Sequence, residues 1–215
     1  MCGRYSLEAR PDEIAEAFEI AGAVACAARY NIAPTQSVPV VRVGPAATQR
    51  CLELIRWGLP SYGSNPRPLI NARSETVDRK PSFRSAFASR RCLVPATGFF
   101  EWQKLGCNKQ PFHFRRRDGA LFAFAGIWDH TGTEGDAFVI LTTRPNPTVS
   151  PIHDRMPVIL APEAYSIWLD PAEQSPQRVL DLLAPAPDDA LTAVPVSTRV
   201  NSTAHDDPAC VEPLA

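Results

Sequence analysis

Proline is the residue that most restricts how this chain can fold. The sequence contains 22 prolines among 215 residues, roughly twice the usual share of about 5%. Because proline fixes φ and has no backbone N–H, it is excluded from helix interiors and from the central strands of sheets. We therefore expect many turns, edge strands and irregular segments, and a fold built from short strands.

Apolar and alternating runs between these breaks predict short strands. The predicted strands cover residues 37–43, 51–57, 91–96, 112–116, 120–128, 137–143 and 157–160. Pro11 begins an early helix, which Gly22 terminates, and three more short helices start at prolines. These three lie around residues 81–89, 162–169 and 176–183. The expected class is α+β, with a predominantly antiparallel sheet or barrel flanked by short helices.

The length favours one large domain, which we place at residues 1–201. Residues 184–190 resemble a connecting linker, and residues 202–215 form an acidic, proline-containing tail to which we assign no chemistry. Hydrophobic residues make up 45% of the chain and charged residues 21%, as in soluble globular proteins. No apolar run is long enough for a membrane span, and the polar N-terminus is unlike a signal peptide. We expect a cytoplasmic monomer.

The six cysteines show no CxxC pair and no regular spacing. This pattern argues against a zinc ribbon or a disulfide framework and favours buried thiols. His205, Asp206 and Asp207 suggest a metal site, but a cluster of this kind in a tail is more often solvated. His113 and His130 lie on or next to predicted strands and are interpreted as structural. We expect no metal and no cofactor.

The charges are unevenly distributed along the sequence. The net charge is −1, yet residues 67–117 contain twelve Arg or Lys and three acidic residues. Such a segment can form a local basic surface for phosphate groups. The alternative is that these side chains are simply a solvated face.

Cys2 is the first candidate for chemistry. Removal of Met1 gives Cys2 a free α-amine beside its thiol, and both groups have reactive fractions near neutral pH. A 1,2-aminothiol of this kind reacts with aldehydes: the amine forms a Schiff base, and the thiol then closes a five-membered thiazolidine. A cysteine at position two is by itself more often without such a role.

Several longer motifs accompany Cys2. They are MCGRY at the start, NARSET at 71–76, RRCLVPATGFFEW at 90–102, AGIW at 125–128, the threonine pair at 142–143 and IHDRMPVIL at 152–160. In content and order they resemble the SRAP family (SOS response-associated peptidase), over a range from Cys2 to about Asn201. Thr97 departs from the pattern, because an acidic residue is expected before GFxEW.

The resemblance implies a barrel-like α+β fold with a concave basic surface. It also implies that the N-terminal cysteine forms a thiazolidine crosslink with the opened sugar of an abasic site in single-stranded DNA. The active site would consist of Cys2, Asn71, Glu101 and His153.

Each of the three other assignments has a physical reason, and Glu101 and Asn71 also have an ordinary alternative. Glu101 lies between aromatic residues, where desolvation raises a carboxyl pKa toward acid/base work; an outward-facing strand residue is the alternative. His153 follows a proline in a loop and can donate a proton to the sugar ring oxygen. Asn71 can donate to the Cys2 region or to a phosphate, or can simply form a turn.

Five residues are candidates for DNA binding. Arg4, Arg73 and Arg155 neighbour the catalytic candidates and can hold phosphates in bidentate contacts. Trp57 and Trp102 can stack on bases, although tryptophan is more often a core residue. Nothing suggests base readout, so binding should be independent of sequence.

Three functions remain open from the sequence. The first is an abasic-site crosslinking enzyme, with possible lyase and autopeptidase steps. The second is a cysteine peptidase of the N-terminal-nucleophile type, in which the Cys2 amine serves as base. The third is a noncatalytic single-strand binder, which would need none of Cys2, Glu101 and His153.

Overall fold

A computed structural model of the protein describes residues 2–21, 25–44, 49–61, 67–132, 135–173 and 175–214. Its strands are β1 (Tyr5–Leu7), β2 (Arg29–Ile32), β3 (Ser37–Val43), β4 (Arg50–Trp57), β5 (Asn71–Arg73), β6 (Arg91–Ala96), β7 (Gly98–Leu105), β8 (Asn108–Arg116), β9 (Phe122–His130), β10 (Asp136–Thr143), β11 (Met156–Pro157), β12 (Ile159–Leu160) and β13 (Leu191–Pro195). Its α-helices are α1 (Pro11–Ala17), α2 (Arg84–Ser89), α3 (Tyr165–Leu169) and α4 (Pro176–Leu180). Short 3₁₀ segments occupy Pro162–Ala164, Asp181–Leu183, Thr198–Asn201 and Pro208–Cys210.

Five of the strands close into a barrel. β3 pairs with β4 and β6, β6 pairs with β9, β9 pairs with β10, and β10 pairs back with β4. The pair β4–β10 is parallel and the other four are antiparallel. Closure leaves no free edge in this ring. The inward side chains are consequently apolar, and every residue of β6 is buried.

β5 is a short strand that continues the pairing of β10 where β4 leaves it. β4 pairs with β10 up to Phe138, and β5 pairs with β10 from Ile140. Between them Gly58 adopts a φ of 126°, a conformation that glycine adopts readily because it has no Cβ. This exchange of partners places Asn71, the first residue of β5, beside the barrel.

A second sheet packs on one side of the barrel. Its order is β13-β8-β7-β1-β2, and all neighbours are antiparallel. Edge-to-face aromatic contacts join it to the barrel, with Phe124 of β9 5.7 Å from Tyr5 and 6.2 Å from Phe99 between ring centroids. The predicted α+β class, with a mainly antiparallel barrel and short helices, is confirmed.

Three of the four prolines predicted to begin helices do so, whereas α2 begins at Arg84, three residues after Pro81. Pro11, Pro162 and Pro176 each occupy a first-turn position, where the missing N–H costs nothing. The first helix ends sooner than predicted, since α1 stops at Ala17 and Glu19 adopts a φ of 52°. The predicted terminator Gly22 lies outside the described residues.

The acidic tail is part of the packed structure. The Asp206 carboxylate accepts hydrogen bonds from the backbone N–H groups of Tyr30 (2.6 Å) and Asn31 (2.8 Å) in β2. The N–H of Leu214 donates to the carbonyl of Pro195 in β13 at 2.9 Å. Residues 202–214 therefore contact both edge strands of the second sheet, β2 and β13, and pack against the domain predicted at residues 1–201.

The described residues contain neither a membrane-spanning helix nor a cluster of metal-binding side chains. None of their helices is long and apolar enough to cross a membrane. Nor do they bring three or more His, Cys, Asp or Glu side chains into a metal-binding arrangement. Asp206, suggested by sequence as a metal ligand, is instead occupied by backbone N–H groups.

Candidate active site

Cys2 lies three residues before the start of β1, and its side chain is fully buried. The Asn71 side-chain amide donates to the Cys2 carbonyl oxygen over 2.9 Å. The Cys2 sulfur lies 3.8 Å from the Arg4 carbonyl oxygen. Burial raises the pKa of the Cys2 thiol, and the negative charge of Glu101 adds to the increase. Because the thiolate is the nucleophilic form, this sulfur needs a nearby base.

Glu101 is a buried carboxylate in β7. It follows Phe99 and Phe100, both fully buried, and is itself only 2% exposed. Its register partner across the sheet is Phe112. Burial raises the pKa of Glu101 to about 7, because an apolar environment disfavours the charged form. A carboxyl group with this pKa can accept and return protons near neutral pH.

His153 lies in the turn before β11, with Nε2 3.6 Å from the Glu101 Oε2. The backbone N–H of Arg155 donates to Nδ1 at 3.0 Å, which places the proton of the neutral ring on Nε2, facing Glu101. Nδ1 also lies 3.2 Å from the Arg155 carbonyl, which can accept from a protonated ring. Burial lowers the pKa of His153.

The structure thus brings together all four residues predicted to be catalytic. Cys2 is held by Asn71, and Glu101 faces His153 while acting electrostatically on the Cys2 thiol. The raised pKa of Glu101 and the lowered pKa of His153 both favour the neutral form of the side chain, so one proton can be exchanged between the two groups. The arrangement can perform general acid/base chemistry next to a sulfur nucleophile.

A cavity of about 420 Å³ opens beside this group. It is lined by Glu101, Trp102, Lys104, Lys109, His153 and Asn201. Trp102 is half-buried, and its indole N–H donates to the Asn201 side-chain oxygen at 2.8 Å. A substrate in this cavity therefore meets both acid/base groups and one face of an aromatic side chain.

Arg155 does not serve as the phosphate ligand that the sequence predicted. Its guanidinium forms two contacts with the Glu75 carboxylate, at 2.5 and 2.9 Å, and donates to the Thr142 carbonyl at 2.6 Å. Since its backbone N–H also holds His153, Arg155 fixes the histidine turn against β10 and the segment after β5. The prediction for Arg155 is corrected to a structural role.

Arg4 is likewise occupied inside the protein. Its guanidinium donates to the Asn31 side chain at 2.9 Å and to the carbonyls of Val200 at 2.6 Å and Asn201 at 3.3 Å. These contacts tie the strand that follows Cys2 to a segment nearly 200 residues later. Three of its five guanidinium N–H groups are used in these contacts, and the DNA contact of Arg4 stays a prediction.

Arg73 is the predicted phosphate ligand that remains accessible. It is the last residue of β5, two positions after Asn71, and it is exposed. In the part of the chain that the structure describes, no hydrogen bond or ion pair occupies its guanidinium. Because the Arg73 side chain is exposed and its guanidinium is unoccupied among the described residues, it can bind an anionic group.

Trp57 is a core residue and not a stacking platform. It has no exposed surface, and its indole N–H donates to the Ile70 carbonyl at 2.9 Å. The ring packs 5.4 Å from Tyr5 and 6.4 Å from Phe138 between centroids. Burial therefore overturns the prediction for Trp57, whereas Trp102 borders the cavity.

The twelve cations of residues 67–117 do not form one surface. Arg91 is buried and donates to carbonyls of Phe87 and Trp168. Arg116 pairs with Asp118 and lines a separate cavity that also contains Glu8. The basic side chains at the candidate site are Arg73 and two lysines of the β7–β8 hairpin.

Sequence reasoning missed those two lysines and Asn201. Lys104 and Lys109 are direct partners in the β7–β8 hairpin. The signal was present, because two strand-forming runs separated by a loop with Gly106 predict a hairpin. Asn201 carried no local signal, since its partner Trp102 is 99 residues away.

Comparisons with known proteins identify relatives of this chain. Residues 1–203 match the family described as SOS response associated peptidase (SRAP). The chain is 38% identical to the abasic site processing protein YoqW of Bacillus subtilis over 99% of both chains. It is 38% identical to YoaM of the same organism, also named an abasic site processing protein, over 94% of this chain and 93% of YoaM. A crystal structure of a Bacteroides thetaiotaomicron protein superposes with a TM-score of 0.84 at 26% identity, covering all of both chains.

Proposed function

This chain belongs to the SOS response-associated peptidase (SRAP) family, and we propose that it captures abasic sites in single-stranded DNA through Cys2. The observation that carries the proposal is the grouping of Cys2 with Asn71, the buried Glu101 and His153. Relatives spanning nearly the whole chain bear the name abasic site processing protein. An abasic sugar supplies an aldehyde, the electrophile that an aminothiol traps.

The capture begins with opening of the sugar. The abasic deoxyribose is mostly a closed hemiacetal, and a proton donated to its ring oxygen releases the aldehyde at C1′. His153 is the donor in this proposal, acting as the imidazolium, because it borders the cavity and its Nε2 lies 3.6 Å from the Glu101 carboxyl, with which it can exchange a proton. Glu101 takes the proton that leaves the C1′ hydroxyl as the aldehyde forms and returns a proton to the neutral imidazole.

Two bonds to C1′ then form. While Met1 is attached, the Cys2 nitrogen is an amide, so removal of Met1 must come first. The freed amine adds to C1′ and loses one water to give a Schiff base, and the sulfur then adds to the same carbon. The thiol proton passes through Glu101 to the nitrogen, leaving a thiazolidine and one water as products.

Glu101 is suited to this proton transfer for a physical reason. Burial raises the pKa of the Cys2 thiol, so the sulfur is protonated when the Schiff base forms. A carboxylate with a pKa of about 7 is half ionised at neutral pH and can take that proton. An exposed glutamate would be a much weaker base.

Lyase and peptidase steps are narrower proposals. The Schiff base can permit strand cleavage by elimination, and a peptidase step is confined to the residue preceding Cys2. A peptidase acting on other chains has less support, because Arg73, Lys104 and Lys109 around the site suit phosphates better than a peptide.

The test is a crosslinking assay with the mature protein. A labelled single strand containing one abasic site is incubated with protein, denatured and separated on a gel, where a shifted band reports the covalent adduct. Cys2→Ala should abolish the band. A form with an uncleaved extension before Cys2 should also lose it, although the thiol is retained.

The matched control is Cys107→Ala. Cys107 is an exposed thiol in the β7–β8 turn, but it has no neighbouring amine and should not form a stable adduct. This variant should crosslink as well as the unsubstituted protein. A full-strength band from the extended form would contradict the aminothiol mechanism.

A further inference from the structure

The β7–β8 hairpin carries an uncommon pair of charges. The chain has only three lysines, Lys80, Lys104 and Lys109. Two of them are direct cross-strand partners, and both line the cavity beside Glu101 and His153. Two-thirds of the lysines of this protein therefore lie at one edge of the candidate active site.

This pairing has no stabilising counter-charge in the described structure. None of the ion pairs among residues 2–21, 25–44, 49–61, 67–132, 135–173 and 175–214 involves Lys104 or Lys109. The adjacent pairs of the hairpin are neutral, namely Gln103 with Gln110 and Leu105 with Asn108. Like charges directly opposite each other destabilise an antiparallel pair. A bound anion would remove that repulsion.

We propose that Lys104 and Lys109 form a phosphate-binding subsite for the phosphodiester next to the captured sugar. The proposal rests on the proposed function, because it is the sugar at Cys2 that fixes where its phosphates lie. Both neighbouring phosphates are within one nucleotide of C1′, and the two lysines share the cavity with the residues that act on C1′. Lysine binds phosphate as a flexible point charge, without reading the base.

The subsite complements Arg73. Arg73 extends from the end of β5, whereas the lysines extend from the β7–β8 hairpin on the other sheet. Cations on two sheets can hold the backbone on two sides of the abasic nucleotide. The sugar is then fixed at the cavity even though it has no base to stack or pair.

An alternative role for these lysines is electrostatic. The Lys104 charge contributes to the lowered pKa of His153, so loss of the lysine could alter proton transfer without any phosphate contact. The two roles differ in substrate dependence. A phosphate ligand affects only DNA, whereas an effect on His153 extends to a free sugar.

Binding is tested with a short single strand that contains tetrahydrofuran in place of the abasic sugar. This strand has the same phosphates and no aldehyde, so it measures binding without capture. For Lys104→Gln/Lys109→Gln, the slope of log affinity against log salt should flatten by about 1.4, the value for two single-strand contacts. The affinity ratio between 50 and 200 mM salt should then shrink about sevenfold. An unchanged slope overturns the subsite.

Lys80→Gln is the matched control. Lys80 is the remaining lysine, exposed and 5.2 Å from the Phe83 ring, and it lines a different cavity. Its substitution removes one positive charge, half of what the double variant loses, and should leave the slope at the unsubstituted value. If Lys80→Gln flattens the slope as much as the double variant, the effect is one of net charge and the subsite is refuted.

The electrostatic alternative is tested with free deoxyribose as the aldehyde. The ratio of capture rates on the abasic strand and on deoxyribose should fall on the order of tenfold in the double variant at low DNA concentration. An unchanged ratio would assign the lysines to proton transfer and overturn the proposal. If the unsubstituted protein fails to crosslink, the proposed function fails, and the tetrahydrofuran series still decides the subsite.

Discussion

Replacing Glu101 by glutamine should stabilise the protein, and by an amount that depends on pH. The pKa of Glu101 rises from an ordinary value of 4.5 to about 7 in the folded state, and each pKa unit corresponds to about 1.4 kcal/mol. The folded protein therefore holds this proton more tightly than the unfolded chain does. Stability is fully present below pH 4.5 and is lost as pH rises to about 7, by about 3 kcal/mol in total.

Glutamine keeps the shape and stays neutral, so the variant avoids this loss. Relative to the unsubstituted protein, Glu101→Gln should gain about 3 kcal/mol at pH 8 and only about 1 kcal/mol at pH 5. For a chain of this length, 3 kcal/mol raises the melting temperature by roughly 6–12 °C. Thermal unfolding followed by circular dichroism at the two pH values measures the difference.

The control is Glu16→Gln, which changes an exposed glutamate of α1. It should unfold at the same temperature as the unsubstituted protein at both pH values, apart from small surface effects. If Glu101→Gln were no more stable at pH 8, the ion pair with His153 would outweigh burial, and the cause assigned to the raised pKa would be wrong. An equal gain at pH 5 and pH 8 would also refute the reasoning.

Four other outcomes are expected. Arg73→Ala should flatten the salt dependence of single-strand binding by roughly 0.7 in log–log slope, and an unaltered slope would exclude a phosphate contact. Glu75→Gln and Arg155→Lys should each slow crosslinking about tenfold, because this ion pair holds the turn that positions His153, and a positioned proton donor is worth about 10²–10⁴ in rate. Additive losses in the double variant would show that the two side chains act separately. His153→Ala should slow both capture and reversal of the adduct, as microscopic reversibility requires, and reversal at the normal rate would count against its role. Asp206→Asn should lower the free energy of unfolding by about 1–3 kcal/mol, measured in urea, and no loss would mean that the tail adds nothing to stability.

The sequence motifs predicted which four residues lie together better than they predicted the surroundings of that group. Cys2, Asn71, Glu101 and His153 all lie in the motifs that resemble the SRAP family, and the aromatic neighbours of Glu101 gave a local reason for its burial. The apolar runs that became β3, β4, β6, β9 and β10 predicted an antiparallel sheet or barrel, and the resemblance favoured the barrel. These features depend on local pattern, which a sequence displays directly.

The errors concern contacts between distant segments. The internal contact of Arg4 was missed, because its acceptor Val200 is 196 residues away. Arg155 was predicted to bind phosphate, but Glu75 is 80 residues away. The sequence does not show that the Trp57 side chain, at the end of β4, packs into the core and is not free to stack on a base. Only the packed structure shows which polar groups already have partners inside the protein.

Short strands were missed for a related reason. β5 has three residues, and its pairing with β10 depends on β4 leaving the sheet at Gly58. No alternation can be recognised over three positions. The β7–β8 hairpin is different, because its length and its central glycine were readable. Recognition of that hairpin would have placed Lys104 opposite Lys109.

The contacts of Arg4 with Val200 and Asn201 also impose an order on synthesis and folding. A ribosome produces Cys2 first and the acceptors of Arg4 about 200 residues later, so β1 cannot be locked in place while most of the chain is still being made. Folds that depend on such distant contacts are completed late. The Arg4 contacts that hold the segment next to Cys2 are therefore among the last to form as the chain is made.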